Sequence, residues 1–249
     1  MKLDLEKREF RCSKRACNRK VSLFKNSFFQ QHRIPCSKIL QLAYFWLSKV
    51  KNGTAVILTG CSKDTVATYY AMFRQLVSDS LDEEDCRIGG EGVIVEIDET
   101  KMGKRKYHRG HHVEGVWVVG GVERTNERRV FLVTVENRNA ETMRDVISRH
   151  VREGSVIHTD MWRGYNGIGD NGEYYHRTVN HSIHFRDPQT GVHTNSIEGT
   201  WNGLKMNIPI RNRTEGRVDC HLFEFIWRRQ QVCNLWLGFI NALRKVHYE

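Results

Sequence analysis

At 249 residues, 39% hydrophobic and 27% charged, the chain can build one substantial core plus a smaller module, as an ordinary globular protein does. No apolar run approaches a membrane span, the start MKLDLEKREFRC lacks a signal-peptide core, and seven scattered cysteines argue against a secreted disulfide framework. The formal charge is +10, and residues 1–60 carry thirteen Lys/Arg against three Asp/Glu, which favours a polyanionic partner over a merely solubilising surface.

Two helices are predicted after the basic segment 1–35. Apolar residues follow Pro35 as far as residue 47, and TGCS at residues 59–62 forms a turn that caps a second helix, SKDTVATYYAMFRQLV. A helix, a short turn and a capped helix in basic sequence resemble a helix-turn-helix, although any helical hairpin shares this pattern. We therefore predict a helix-turn-helix-like DNA-binding module over residues 36–88.

Strands are predicted after the acidic, glycine-rich linker LDEEDCRIGGEG. The predicted elements are strands at Val93–Asp98, Val113–Gly120 and Val130–Val135, a helix at Ala140–Val151 and a strand at Ser155–Asp160. A three-stranded meander, a crossover helix and a strand parallel to the first make an α/β fold with a mixed sheet flanked by helices. Sites gather at strand ends in such sheets, and both Asp98 and Asp160 end a strand.

The segment HTNSIEGTWNGLKMNIPI predicts an amphipathic helix packed on this sheet. Its apolar face consists of Ile197, Trp201, Leu204 and Ile208, at i, i+4, i+7 and i+11. Glu198 and Lys205 lie two turns apart on a neighbouring face. A further helix, packing on the same domain, is predicted within residues 216–249.

Three carboxylates, Asp98, Asp160 and Glu198, fall where one site could gather them. Each also has a structural interpretation: a strand-end turn for Asp98, an N-cap or turn for Asp160, and a capping box with Asn195 as N-cap for Glu198. Gathered carboxylates repel one another unless a cation neutralises them, and oxygen ligands of this kind suit Mg²⁺ or Mn²⁺. Two such ions would support phosphoryl transfer by activating a water or a 3′-hydroxyl.

Positive charge follows the first carboxylate within a few residues. We predict that this run receives the phosphate backbone on which the metals act. Its members are Lys101, Lys104, Arg105, Lys106 and Arg109.

Several long motifs resemble the Merlin superfamily of cut-and-paste DNA transposases and their bacterial insertion-sequence relatives of the ISXO type. The blocks are EIDETKMGKRKYHRGHHVEGVWVVGGVER, VIHTDMWRGY and VNHSIHFRDPQTGVHTNSIEGTWNGLK, and the resemblance covers roughly residues 10–230. It implies an RNase H-like catalytic domain over residues 91–215 with a DDE triad of Asp98, Asp160 and Glu198. Some bacterial relatives carry Asn at the third position, so Glu198 completes the triad. Lys205 matches a basic residue that follows the third acid, and we expect it to contact DNA.

The N-terminal segment departs from this family. Members commonly begin with a zinc ribbon of two cysteine pairs, whereas here Cys12 and Cys17 have no pair upstream. A substitute site is conceivable through His32 and Cys36, with the spacing C-x4-C-x14-H-x3-C. The alternative is that these are free cysteines, so zinc binding stays an open question.

The motifs together predict a transposase that binds terminal inverted repeats, hydrolyses the element's ends and joins the 3′-hydroxyl to target DNA. Its expected partners are transposon-end DNA, target DNA and a second copy of the chain, in the nucleus of a eukaryotic host or the cytoplasm of a bacterial one. The alternatives are a domesticated DNA-binding protein without cleavage, an RNase H-type nuclease and a zinc-finger interaction protein. The intact acids argue against the first alternative, and the basic N-terminal module argues against the second.

Overall fold

A computed structural model describes residues 1–14, 16–30, 34–103, 115–180, 183 and 185–248. The chain divides into two units, one of Met1–Ser80 with Cys233–Glu249 and the other of Leu81–Val232. The strands are β1 (Lys2–Asp4), β2 (Glu9–Arg11), β3 (Lys20–Ser22), β4 (Ile88–Gly89), β5 (Ile94–Met102), β6 (Val116–Glu123), β7 (Val130–Val135), β8 (Val151–Arg152), β9 (Val156–Asp160) and β10 (Tyr175–Val179). The helices are α1 (Cys36–Leu47), α2 (Asn52–Thr59), α3 (Lys63–Asp79), α4 (Ala140–His150), α5 (Asn195–Asn207), α6 (Asp219–Gln230) and α7 (Leu235–Lys245). No helix among the described residues is both long enough and apolar enough to cross a membrane.

The first unit contains an antiparallel sheet, β1-β2-β3, and four helices. Both predicted helices are confirmed as α1 and α3, and the predicted turn and cap are also present. Gly60 ends α2 with a positive φ of 68°, and the Ser62 hydroxyl accepts a hydrogen bond from the Thr65 amide at 3.1 Å. The short helix α2 was not predicted, and it is α2, rather than α1, that leads directly into the turn.

The predicted single helix near the C-terminus is two helices in the structure. α6 belongs to the second unit and packs on β7, whereas α7 belongs to the first unit and contacts α1 and α3. The Asn234 side chain starts α7 by accepting a hydrogen bond from the Leu237 amide at 2.9 Å. Phe239 of α7 is buried against Phe73 of α3, with ring centroids 5.4 Å apart. The prediction that this segment packs on the catalytic domain is therefore wrong for α7.

The second unit is built on a five-stranded mixed sheet in the order β10-β9-β5-β6-β7. β5, β6 and β7 form an antiparallel meander, and β9 returns after α4 to lie parallel to β5, as predicted. β10 adds a further parallel strand at the edge and was not predicted. The predicted strand at Val113–Gly120 begins outside the described residues, and its described part extends three residues further, to Glu123. β4 and β8 form a separate two-stranded parallel pair.

Helices cover both faces of this sheet. α5 and α6 pack on one face, where the core includes Met102, Val118, Leu132, Trp201, Leu204 and Ile226. α4 packs on the other face, where the core includes Val95, Ile97, Val119, Phe131, Met143 and Ile147. Residues alternate between the two faces along β5, because successive side chains of a strand point in opposite directions. Even-numbered residues of β5 therefore face α5, and odd-numbered residues face α4.

Candidate active site

Asp98 lies in the middle of β5, and Asp160 ends the neighbouring parallel strand β9. The prediction that Asp98 ends its strand is therefore wrong, because β5 continues to Met102 in its pairing with β6. The register pairs Glu96 of β5 with His158 of β9, and two residues further along each strand come Asp98 and Asp160. Because partners in register point to the same face, both carboxylates project on the α5 side of the sheet. Their charges interact, since Asp160 contributes to raising the pKa of Asp98.

The Asp98 carboxyl has a pKa raised to about 6, mainly by burial and further by the charges of Glu99 and Asp160. The Trp201 indole N–H opposes this shift by donating a hydrogen bond to Asp98 Oδ2 at 2.9 Å. Gly120, opposite Asp98 on β6, makes room for the indole, because a Cβ at Gly120 would lie 2.6 Å from Trp201 Cη2. The structure therefore holds α5 directly against the first acid.

A buried carboxylate fixes the N-terminus of α5. Glu96 is fully buried, and its Oε2 accepts hydrogen bonds from the Ser196 amide at 2.7 Å and the Ile197 amide at 3.1 Å. These are the free N–H groups of the first helical turn, where negative charge is stabilising. The predicted capping box is wrong: the N-cap is Thr194, without a side-chain cap bond, and Glu96 supplies the acceptor from β5.

Guanidinium groups complete the support of α5. Arg124 Nε lies 2.5 Å from Glu96 Oε1, and Arg124 Nη2 donates to the His193 carbonyl at 2.8 Å, just before the helix. At the other end, Arg213 donates to the carbonyls of Ile208, at 2.9 Å, and Lys205. A carboxylate at the N-terminus and a guanidinium at the C-terminus both match the helix dipole. α5 is thus held at its N-terminus by residues of the sheet and at its C-terminus by Arg213, which follows it in the chain.

Four acids of β5 and β9 fall into two classes. Glu96 is paired with Arg124, and Glu99 is paired with Arg138 at 2.9 Å and accepts a hydrogen bond from the Tyr165 hydroxyl at 2.7 Å. Asp98 and Asp160 accept hydrogen bonds from neutral donors, and within the described part of the chain neither has a cationic side chain in salt-bridge contact. The two aspartates therefore carry the uncompensated negative charge.

Glu198 occupies an exposed position on α5, and the Thr194 hydroxyl approaches its Oε1 at 3.5 Å. It lies one turn before Trp201, the residue that bonds Asp98. Across the described ranges, no three His, Cys, Asp or Glu side chains are grouped closely enough to hold a metal ion. The structure brings Asp98 and Asp160 together and does not join Glu198 to them.

The predicted basic residues are only partly described. Lys205 is half-buried and close enough to Asp98 to interact with it: burial and Arg213 lower the Lys205 pKa, and Asp98 opposes that shift. Lys101 is exposed, with its Nζ 5.6 Å from the centroid of the Trp117 ring. The remaining members of the predicted run lie outside the described residues: Lys104, Arg105, Lys106 and Arg109.

The candidate zinc ligands lie in the first unit. The Lys14 amide and then the Cys17 thiol lower the pKa of Cys12, so the two cysteines are neighbours between β2 and β3. Cys36 begins α1 and interacts with Tyr69 of α3, and His32 lies outside the described residues. Within the part of the chain that is described, Cys36 forms no metal-binding group with Cys12 and Cys17.

Four residues that support this site were not predicted from the sequence: Glu96, Arg124, Glu99 and Arg138. The motif EIDE carried a usable signal, because alternation along a strand puts Glu96 and Asp98 on one face and Glu99 on the other. Nothing in the sequence links Glu96 to the amides of Ser196 and Ile197, which are about a hundred residues away.

The chain is similar to known proteins in three comparisons. The family model described as the ISXO2-like transposase domain matches residues 87–229. An uncharacterized transposase-like protein of Haemophilus influenzae is 30% identical over 101 residues, which are 40% of this chain and 80% of that protein. The crystal structure of the catalytic core domain of BIV integrase aligns with 52% of this chain and 79% of its own, at 14% identity and a TM-score of 0.32. The family model matches more than half of this chain, and the chain therefore belongs to the ISXO2-like transposase domain family.

Proposed function

We propose that the protein is a DDE transposase that cuts the ends of its element and joins them to target DNA with two divalent metal ions. The observation that carries the proposal is the adjacent pair Asp98 and Asp160, left uncompensated while Glu96 and Glu99 beside them are paired with arginines. Two carboxylates that repel each other are unfavourable for the fold, and DNA binding alone does not require them. Their placement on neighbouring strands therefore favours a catalytic role.

The order of the strands supports an RNase H-like catalytic domain, as the resemblance to the Merlin superfamily implies. An antiparallel meander, β5 to β7, is extended at β5 by the parallel strands β9 and β10, with α4 as the crossover between β7 and β9. The first two proposed catalytic acids lie on the two central parallel strands of this arrangement. Within the transposase family, we assign the chain to the Merlin type on its long motifs.

The donor set fits Mg²⁺ or Mn²⁺. Both aspartates offer carboxylate oxygens, which these hard cations prefer, and among the described residues neither aspartate forms a salt bridge. We propose that Asp98 and Asp160 hold the ions together with Glu198. When bound, the ions activate a water or a 3′-hydroxyl and stabilise the leaving oxygen.

The chain's own residues supply position and charge. Glu96 and Arg213 anchor α5, so Trp201 orients the Asp98 carboxylate and Glu198 lies one turn away. Lys205, whose charge interacts with that of Asp98, is proposed to bind a phosphate or a base near the cut. We propose that the carboxylates of Asp98 and Asp160 bind the metal ions and that the Lys205 side chain contacts the DNA.

The first unit is proposed to bind DNA. α2, the turn at Gly60 and the capped helix α3 match the order of a helix-turn-helix, and the basic excess of residues 1–60 suits a phosphate backbone. We propose that this unit recognises the terminal repeats and that a second copy of the chain engages the other end.

Cleavage by the full-length protein tests the proposal. Duplex DNA that carries the element's own terminus and flanks is incubated with Mg²⁺ or Mn²⁺, beside an RNA:DNA hybrid of the same sequence. We expect metal-dependent cuts at the element boundary and transfer of the 3′ end to a target plasmid. Digestion of the hybrid without boundary cuts would identify an RNase H-type nuclease instead, and binding without cleavage would identify a DNA-binding protein.

A further inference from the structure

Two tryptophans and two cations meet on the side of β5 that faces away from Asp98. Lys101 of β5 is paired in register with Trp117 of β6. The Arg138 guanidinium follows β7 and lies 3.6 Å from the centroid of the Trp117 ring and 5.0 Å from that of Trp162. We refer to Lys101, Trp117, Arg138 and Trp162 as the Trp117 cluster.

This cluster adjoins both aspartates through single short links. Arg138 is paired with Glu99, the residue next to Asp98 on β5. The backbone amide of Trp162 donates a hydrogen bond to Asp160 Oδ1 at 2.9 Å. The Tyr165 hydroxyl bonds Glu99, and its ring packs edge-on against Trp162 at 5.5 Å. These contacts tie the cluster to the two strands that carry Asp98 and Asp160, on the opposite face of β5 from the Asp98 carboxylate.

The cluster is also accessible and positively charged. The side chain of Arg138 is 32% exposed, Lys101 is exposed, and both indoles are partly exposed. The guanidinium has five N–H groups, and among the described residues it makes one hydrogen bond, from Nη1 to Glu99 Oε1. The other N–H groups of Arg138 can donate to a further acceptor, although the Glu99 carboxylate already neutralises the guanidinium charge. Lys101 adds a second cation beside the same indole.

Partly exposed indoles next to cationic side chains with unused N–H donors match the chemistry of one nucleotide. A phosphate accepts hydrogen bonds from guanidinium and ammonium groups, and a base stacks on aromatic or guanidinium planes. Base faces are hidden inside an intact duplex, so the occupant must be unpaired. Resting on the proposed function, we propose that the Trp117 cluster binds one unpaired nucleotide of the bound DNA on the face of the sheet opposite Asp98, with its phosphate on Lys101 and Arg138 and its base against the partly exposed indoles.

Photocrosslinking of the full-length protein tests this site directly. The probe is a duplex with a short single-stranded 3′ overhang of iododeoxyuridine, and a blunt duplex of the same sequence is the reference. Metal-free buffer keeps the DNA uncut. We expect the overhang to crosslink to peptides that contain Trp117 or Trp162, as found by mass spectrometry. Crosslinks confined to other peptides would overturn the site.

Affinity measurements supply a second readout. Because a base gains affinity by stacking on an aromatic ring, Trp117→Leu should weaken binding of the overhang duplex about tenfold, or about 1.4 kcal/mol, relative to the blunt duplex. Trp117→Phe, which keeps an aromatic ring, should preserve most of that preference. Tyr175→Leu is the control, since Tyr175 is an exposed aromatic residue on β10 outside the cluster. An unchanged preference in Trp117→Leu would count against the inference.

Parallel cleavage assays with Mg²⁺ separate this inference from the proposed function. Boundary cleavage by the unaltered protein, with crosslinks only outside the cluster, would overturn the nucleotide site and leave the transposase assignment standing. Crosslinks at Trp117 or Trp162 without any cleavage would support the site and contradict the assignment.

Discussion

At the scale of single residues, the charge state of Asp98 links stability to pH. Burial raises the Asp98 pKa from its ordinary value of 3.8 to about 6, so the folded state binds the proton more tightly than the unfolded state. Ionisation of Asp98 therefore destabilises the fold. This cost is absent below about pH 3.8, grows up to about pH 6 and is complete above it. The difference between the two pKa values corresponds to roughly 3 kcal/mol.

We predict that Asp98→Asn stabilises the metal-free protein at pH 8, because it removes a buried charge and keeps an acceptor for Trp201. The gain in free energy of unfolding should be up to roughly 3 kcal/mol and should vanish near pH 4. Denaturant melts in EDTA at the two pH values measure it. Asp145→Asn, at an exposed position on α4, is the control and should change little. Equal stability of Asp98→Asn and the unaltered protein at pH 8 would show that the Asp98 charge is not strained.

Lys205 gives a second test at this scale. The Lys205 ammonium, whose charge interacts with that of Asp98, can hold a phosphate as a point charge, so Lys205→Ala should slow single-turnover cleavage roughly tenfold. Lys205→Arg, which keeps the charge, should be milder. Rates are compared in Mg²⁺ and in Mn²⁺, together with crosslinking to the terminal base pairs. If Lys205→Ala cuts and crosslinks like the unaltered protein, Lys205 is merely a solvated side chain.

At the scale of secondary-structure elements, the support of α5 determines whether the third acid can act. Glu96→Gln keeps an acceptor for the helix but leaves Arg124 without its carboxylate, and breaking such a pair should cost roughly 3 kcal/mol of unfolding free energy. Glu141→Gln is the control, because Glu141 lies exposed in the first turn of α4 and should contribute less than about 1 kcal/mol. Urea melts and hydrogen exchange of α5 amides measure both. A loss no greater than that of the control would contradict the anchoring role.

Elements with their own periodicity or cap were predictable, and elements defined by distant partners were not. The apolar stripe of α5 from Ile197 to Leu204 and the cap at Ser62 are local signals, and the structure confirms both. The edge strand β10 has a mostly exposed sequence, YHRTV, without clear alternation. The start of α5 depends on Glu96, which lies on another element. The role of Glu96 in capping α5 could therefore not be inferred from a local pattern.

At the scale of the whole molecule, the two units divide the chain differently from the predicted domains. The first unit is discontinuous, because α7 returns to it and buries Phe239 beside Phe73. No local pattern shows which unit receives a C-terminal helix, since an apolar face fits any core of suitable shape. A fragment of residues 1–88 would lack α7, so the full-length chain is the better subject for DNA-binding measurements.

The basic excess predicts salt-sensitive DNA binding by the full chain. Each Lys or Arg contact with a phosphate releases counterions, so Kd for duplex DNA should rise at least about a hundredfold between roughly 50 and 200 mM salt. Fluorescence anisotropy across a salt series measures this, with circular dichroism as a control for folding. A Kd that changes less than about threefold would argue against phosphate contacts as the main source of affinity.

The central claim is that Asp98, Asp160 and Glu198 carry out metal-dependent DNA cleavage, and one measurement tests it most directly. Single-turnover cleavage of element-end DNA with Mg²⁺ is compared for Asp98→Asn, Asp160→Asn, Glu198→Gln and the control Asp145→Asn, with end binding measured in parallel. We expect the first three variants to lose cleavage and strand joining while binding the ends normally, and Asp145→Asn to retain all three activities. Cleavage that survives any one of the first three substitutions would contradict the assignment of that residue to the active site.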